Sequence, residues 1–131
     1  MIRLAVFPTG AYAESYYFEL MQDSVLSCAV GVRASDDITR TDFLVTIDHS
    51  AEMRLSSENI QFLSGLCDDL ESSGYNTPKN IYFDAWDVAV LYNGKTYETN
   101  YWDNNGPLAL IDLVDKLIEL APIPVDLHGW A

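Results

Sequence analysis

The sequence predicts an α+β fold: a single antiparallel β-sheet of about five to six strands, with two α-helices packed on one face. Three observations predict it. Short β-rich runs are separated by turn residues, two longer stretches carry apolar residues at helical spacing, and an Asn-Gly pair lies between two of the β-rich runs. A length of 131 residues fits one domain, so residues 1–131 are expected to form a single domain.

The first half of the chain contains four predicted strands. They cover residues 2–7, 12–21, 25–33 and 43–49, and in each of the last three runs apolar side chains alternate along the chain. Alternation with a period of two places these side chains on one face of a sheet. The second and third runs are expected to pair as an antiparallel hairpin.

The first helix is predicted to follow these strands and to end before Gly74. Ser56 or Ser57 can cap its N-terminus, and Gly74 supplies the left-handed conformation that commonly ends a helix. Gly65 in the middle of the helix is unfavourable, and we expect it to permit close approach to a neighbour. The predicted buried stripe consists of Ile60, Leu63, Cys67 and Leu70, widened by Phe62 and Leu66.

A β-hairpin is predicted over residues 81–102, because Asn93-Gly94 is the preferred pair for a two-residue type I′ turn. This turn would oppose Tyr92 to Lys95 and Val88 to Thr99. The face that carries these residues is the more apolar and should meet the core. The other face is half polar and should be partly wet.

The second helix is predicted to begin at Pro107 and to end at Pro122, since proline is favoured in the first turn and cannot continue a helix. Residues 123–127 alternate like an edge strand, where proline is tolerated.

The charge of the chain restricts its partners. Twenty acidic residues against seven basic ones give a net charge of −13, although 49% of the residues are hydrophobic. A negative surface opposes direct contact with nucleic acid and with anionic membranes, because both depend on Lys and Arg. The charge favours a cationic protein partner. The alternative is that the acidity only keeps the protein soluble.

Cys28 and Cys67 are the only cysteines, and they do not form a Cys-x-x-Cys pair. Both are expected to be small buried hydrophobic residues. The first apolar run is broken at Pro8, which is too early for a signal peptide, so we expect a cytoplasmic protein.

The end of the first helix is the first candidate binding surface. Asp68, Asp69 and Glu71 crowd the last turns, where the helix dipole is already negative. Departures from local preference tend to occur at functional sites. We therefore consider these residues a candidate docking patch for a basic partner, the alternative being that solvent screens them.

The outer face of the hairpin is the second candidate. Asp87 and Glu98, with Phe83 and Trp102, would make an acidic patch with aromatic anchors of the kind that protein interfaces use. The alternative is a sheet face that is covered by a loop, by the C-terminal tail or by a second subunit.

No motif indicates catalysis, a cofactor or a metal site. Asp103-Asn104-Asn105-Gly106 lacks the alternating ligands of a calcium loop, and His49 and His128 lack zinc-ligand spacing. We therefore expect no enzymatic activity and no cofactor.

Three features of the C-terminal part carry a resemblance: the hairpin over residues 80–102, the helix over 110–120 and the Pro122-Ile123-Pro124 exit. With the size and charge of the chain, they resemble the small acidic immunity proteins of bacterial toxin systems. The resemblance rests on size, charge and architecture, and it carries over no residue roles. It implies stoichiometric inhibition of a toxin domain whose active surface is cationic.

Three other functions remain open. A nucleic-acid mimic would need regularly spaced carboxylates, of which Asp112, Asp115 and Glu119 supply one short row. A structural subunit would pair an apolar hairpin face with a second copy, giving a homodimer. A small enzyme would use a carboxylate-based site.

Overall fold

The computed structural model describes residues 2–8, 14–35, 37–39, 42–74, 86–100, 108–125 and 127. These residues form six strands and two helices, in the order that the sequence predicts. The elements are β1 (Ile2–Pro8), β2 (Glu14–Leu20), β3 (Val25–Arg33), β4 (Leu44–Arg54), α1 (Ser57–Ser72), β5 (Trp86–Tyr92), β6 (Lys95–Asn100) and α2 (Leu108–Leu120).

The six strands form one antiparallel sheet with the order β4-β3-β2-β1-β5-β6. The predicted α+β class is therefore confirmed, with six strands. The order places β4 and β6 at the two edges, whereas β1 lies in the centre between β2 and β5.

The buried side chains form two clusters. The larger one contains residues from one face of the sheet, such as Leu4, Phe18 and Val88, together with buried residues of both helices. We call this side of the sheet the core face. The smaller cluster contains Ala5, Phe7, Ile38, Phe43 and Ala89, and its three strand residues lie on the opposite face. Both predicted buried cysteines are confirmed, since Cys28 and Cys67 are almost fully buried.

The limits of α1 are those that the sequence predicts, but two details differ. The Ser56 side chain accepts a hydrogen bond from the Asn59 amide, and Gly74 has a φ of +67° just beyond the helix. The close approach expected at Gly65 is not found within the described residues, none of which outside its own helical backbone lies within 4 Å of the position that a Cβ atom would take there. Phe62 does not widen the buried stripe either, since it is 52% exposed.

The hairpin turn is confirmed at Asn93-Gly94, where both residues have positive φ angles of 51° and 76°. Tyr92 opposes Lys95, and Val88 opposes Thr99, as expected. Trp86, Val88 and Val90 lie in the larger core cluster.

The opposite face of the hairpin is partly wet among the described residues, as predicted. Thr96 is exposed and Glu98 is half-buried, whereas Asp87 is 3% exposed. Ala89 is buried in one cluster with Ile38 and Phe43, which lie in the segment between β3 and β4. This packing agrees with the alternative that a loop covers part of the face.

The C-terminal tail does not form the expected edge strand in residues 121–125 and 127. Pro122 and Pro124 have no amide hydrogen to donate to a neighbouring strand. Ile123 is buried instead, and the Trp86 Nε1 atom donates a hydrogen bond to the Leu127 carbonyl at 3.1 Å.

Candidate binding surface

The acidic end of α1, consisting of Asp68, Asp69 and Glu71, is exposed but partly engaged within the protein. The Tyr92 hydroxyl donates to Asp68 Oδ1 at 2.9 Å, and the Asn93 Nδ2 atom donates to Glu71 Oε2 at 3.0 Å. Two of the three carboxylates therefore fasten the end of the helix to the β5–β6 turn. This role does not follow from the sequence pattern, because the donors Tyr92 and Asn93 lie more than 20 residues away from the carboxylates.

These carboxylates change the acidity of the tyrosines around them. The pKa of Tyr92 is raised to about 12, mainly by its hydrogen bond to Asp68. The carboxylate accepts this bond only from the protonated phenol, and its negative charge disfavours the phenolate. Burial, with a smaller contribution from Glu71, raises the pKa of Tyr97. The end of α1 is thus a region of negative potential that is coupled to the hairpin.

The described part of the predicted hairpin patch is Asp87 and Glu98, since Phe83 and Trp102 lie outside the described residues. Asp87 is buried, whereas Glu98, which opposes Ala89, is half-buried. Tyr92, which contacts Asp68, lies on the core face, and Glu98 lies on the opposite face. The described residues therefore place Glu98 and the acidic end of α1 on different sides of the sheet.

A groove that the sequence analysis missed lies across β2, β3 and β4 on the opposite face of the sheet. Its volume is about 580 Å³, and it is lined by Tyr17, Glu19, Ser27, Cys28, Ala29, Ser50, Ala51 and Glu52. We call it the open-face groove. Short side chains at Ser27, Ala29 and Ser50 leave this space uncovered.

Two rows of opposed residues line the open-face groove. The first is Tyr17, Ala29 and Ser50. The second is Glu19, Ser27 and Glu52, which Arg3 extends beyond the lining, and each residue opposes the next on the neighbouring strand. Arg3 Nε contacts Glu19 Oε2 at 3.0 Å, and Ser27 Oγ donates to Glu52 Oε2 at 3.0 Å. The row therefore begins with an ion pair and ends with a carboxylate on the edge strand.

The wall of the groove is aromatic. Tyr17 stacks on Phe43 with ring centroids 5.5 Å apart. Burial is the main cause that raises the pKa of Tyr17 to about 12. The neutral hydroxyl, the serines and the two carboxylates can accept hydrogen bonds from an ammonium or guanidinium group.

The strand β4 beside this groove is unusually exposed for its length. Val45 is 64% exposed, Ile47 is 59% exposed and Met53 is 38% exposed. Among the strands that the structure describes, β4 has a neighbour on one side only. An exposed edge with apolar side chains can pair with a further strand.

The basic residues within the described ranges make contacts with other groups of the same protein. Arg33 is buried, with its guanidinium 4.6 Å from the centre of the Phe7 ring, and it donates to the Pro8 carbonyl. Arg54 donates to the Asp23 carbonyl, and Lys116 contacts Glu119. The positive groups are thus held by internal contacts, while the chain as a whole keeps an excess of carboxylates.

No family model and no curated protein matches the chain. Neither described helix has the combined length and apolar character that a membrane span requires.

Proposed function

We propose that this protein is a small acidic binding protein of the immunity or inhibitor type, which acts in the cytoplasm and occludes a cationic protein partner, such as a toxin domain. The open-face groove carries the proposal. It combines two carboxylates, three hydroxyl groups and an aromatic wall, and none of the described residues that line it is basic. Arg3, which adjoins the lining, is paired with Glu19, so Glu52 is the carboxylate of the groove without this ion pair.

The electrostatics of the whole chain support this function. A net charge of −13 attracts a basic protein over a long range and raises the association rate. Local complementarity at the groove would then select the binding orientation. In this proposal the acidic end of α1 is a second contact region. Its exposed Asp69 lies between Asp68 and Glu71, whose carboxylates accept hydrogen bonds from the hairpin.

Capture from native cells tests the proposal. The immobilised protein is incubated with lysate at low salt, and each retained protein is identified, purified and titrated against the free protein. The expected partner is basic and binds with a stoichiometry of one to one. Purified partners that are neutral or acidic, or the absence of a retained protein above the bead control, would contradict the proposal.

Two neutralised variants locate the contact. One carries Asp68→Asn, Asp69→Asn and Glu71→Gln, and the other carries Glu52→Gln alone. If the acidic end of α1 contacts the partner, the triple variant binds more weakly. Unchanged affinity in the triple variant, together with weaker binding of Glu52→Gln, assigns the contact to the groove.

A second candidate function is self-assembly, which the exposure of Val45 and Ile47 on β4 favours. An apolar contact between copies would persist in salt, whereas electrostatic association weakens. Size-exclusion chromatography at low and high salt distinguishes them: a dimer at both salt concentrations supports a structural subunit.

A further inference from the structure

The outer edge of β4, beside which no described strand lies, is the strongest feature of the structure that the proposed function leaves unexplained. Its 11 residues are exposed along almost their whole length, although the strand belongs to a six-stranded sheet. Unpaired backbone groups at such an edge can accept an additional strand from another chain.

The regular part of this edge is residues 49–54. In this stretch β4 pairs with residues 25–30 of β3 without interruption. The register shifts lie at the other end, where Asp48 and Val45 have no opposed residue on β3. Bulges of this kind twist an edge and hinder continuous pairing, so an added strand would align with residues 49–54.

The two faces of this stretch require different side chains from the added strand. On the core face, Ala51 continues the row of Phe18 and Cys28, and Met53 continues the row of Leu20 and Leu26. Apolar side chains opposite Ala51 and Met53 would extend these rows.

On the opposite face, the added strand should carry a positive charge next to the row that ends at Glu52. This row runs Arg3, Glu19, Ser27, Glu52, and its last carboxylate lies on the edge strand, where Ser27 donates a hydrogen bond to it. A Lys or Arg on an added strand would stand directly opposite Glu52 and would border the open-face groove.

We propose that the β4 edge, along residues 49–54, binds an extended segment of the cationic partner in which basic and apolar residues alternate, so that this segment becomes the seventh strand of the sheet. The inference rests on the proposed function and gives its mode of binding. A second copy of this chain fits less well, because two bodies with a charge of −13 repel each other.

Short synthetic peptides test the proposal with the intact protein. The test peptide alternates lysine and valine along a capped chain, and a control peptide of identical composition carries the lysines and valines in separate blocks. A third peptide is the alternating one with two adjacent amides N-methylated, which blocks hydrogen bonding at both of its edges. Binding is measured by titration, and amide hydrogen exchange is measured for residues 49–54.

We expect the alternating peptide to bind about tenfold more tightly than the block peptide, a difference of about 1.4 kcal/mol. Amides in residues 49–54 should exchange more slowly in its presence, and the N-methylated peptide should give neither effect. Glu52→Gln should weaken the alternating peptide by about two- to fivefold, the range of a cross-strand charge pair. The matched control is Asp112→Asn, which removes one charge from an exposed position on α2 and should leave the affinity unchanged.

Three results would overturn the inference. Equal binding of the alternating and block peptides without protection of residues 49–54 would mean association by charge alone, and the proposed function would stand without this edge. Binding of none of the peptides would remove the edge as a strand acceptor, whatever protein the capture experiment retains. A dimer whose residues 49–54 are already protected without peptide would assign the edge to a second copy.

Discussion

At the scale of single residues, Asp68 shows how an apparent misfit is explained by a distant contact. A carboxylate near the C-terminus of a helix is unfavourable by about 0.3–1 kcal/mol. Asp68 nevertheless accepts the Tyr92 hydroxyl at 2.9 Å, which lies 24 residues further along the chain. Asp69, its neighbour, lies in the same unfavourable field, and among the described hairpin residues the side-chain donors bind Asp68 and Glu71 instead.

Comparison of Asp68→Ala with Asp69→Ala tests this difference. Both substitutions remove one negative charge from the last turns of α1, but only Asp68→Ala removes the acceptor of Tyr92. We expect Asp68→Ala to be about 0.5–1.5 kcal/mol less stable than Asp69→Ala, the usual worth of one hydrogen bond. Chemical denaturation measures the two free energies of unfolding.

A second readout is the phenol of Tyr92. Its pKa should fall from about 12 towards the ordinary value of 10.0 in Asp68→Ala, because the hydrogen bond to Asp68 is the main cause of the shift. It should stay raised in Asp69→Ala. Equal stabilities and an unchanged pKa would show that the Tyr92–Asp68 contact carries no energy.

At the scale of the elements, short sequence motifs predict the features that depend on a few adjacent residues. Asn93-Gly94 sets the register of β5 and β6, and Ser56 and Gly74 set the limits of α1. These features depend on the φ preferences and caps of a few adjacent residues.

Features that depend on distant residues are only partly predictable. A covering loop was one of the alternatives for the outer face of the hairpin, but which residues it buries, here Ile38 and Phe43 against Phe7 and Ala89, and that Asp87 is buried, do not follow from the sequence. The open-face groove likewise arises from Glu19, Ser27 and Glu52, which lie on three strands. No pattern within one segment contains such information, because it requires the strand register and the path of the loop.

The close contact of β3 with β4 depends on Gly31. A Cβ atom there would collide with the Thr46 carbonyl oxygen and would lie 3.0 Å from the Ile47 Cα atom. These are backbone atoms, so β4 would have to move.

We therefore expect Gly31→Ala to destabilise the protein by about 1–3 kcal/mol, the usual cost of overpacking. The matched control is Gly65→Ala, where no neighbour in the described part of the chain lies within 4 Å and the helix should gain about 0.5–1 kcal/mol. Thermal denaturation of both variants checks the opposite signs. If Gly31→Ala did not lower the melting temperature, β4 would not be packed against β3 as described.

At the scale of the whole molecule, folding raises the pKa values of several thiols and phenols, so that they ionise only at higher pH. Burial is the main cause that raises the pKa values of Cys28, Cys67 and Tyr17 to about 12, from ordinary values of 9.0 for the thiols and 10.0 for the phenol. Tyr92 reaches about 12 through its bond to Asp68.

These shifts predict a loss of stability in alkali. Because the folded-state pKa values exceed the unfolded ones, their stabilising contribution is complete below pH 9 and is lost as the pH rises towards 12. Urea denaturation over this range should show a falling free energy of unfolding. The double variant Cys28→Ala, Cys67→Ala should show a shallower fall, and an equal slope in both proteins would refute the assignment to the thiols.

The central claim is that the acidic surface of this sheet binds a cationic protein. The most direct measurement is a calorimetric titration of the purified captured partner at low and at high salt. We expect one site per chain and a dissociation constant that rises steeply with salt, because salt screens the attraction between the two surfaces. A dissociation constant that does not change with salt would contradict it.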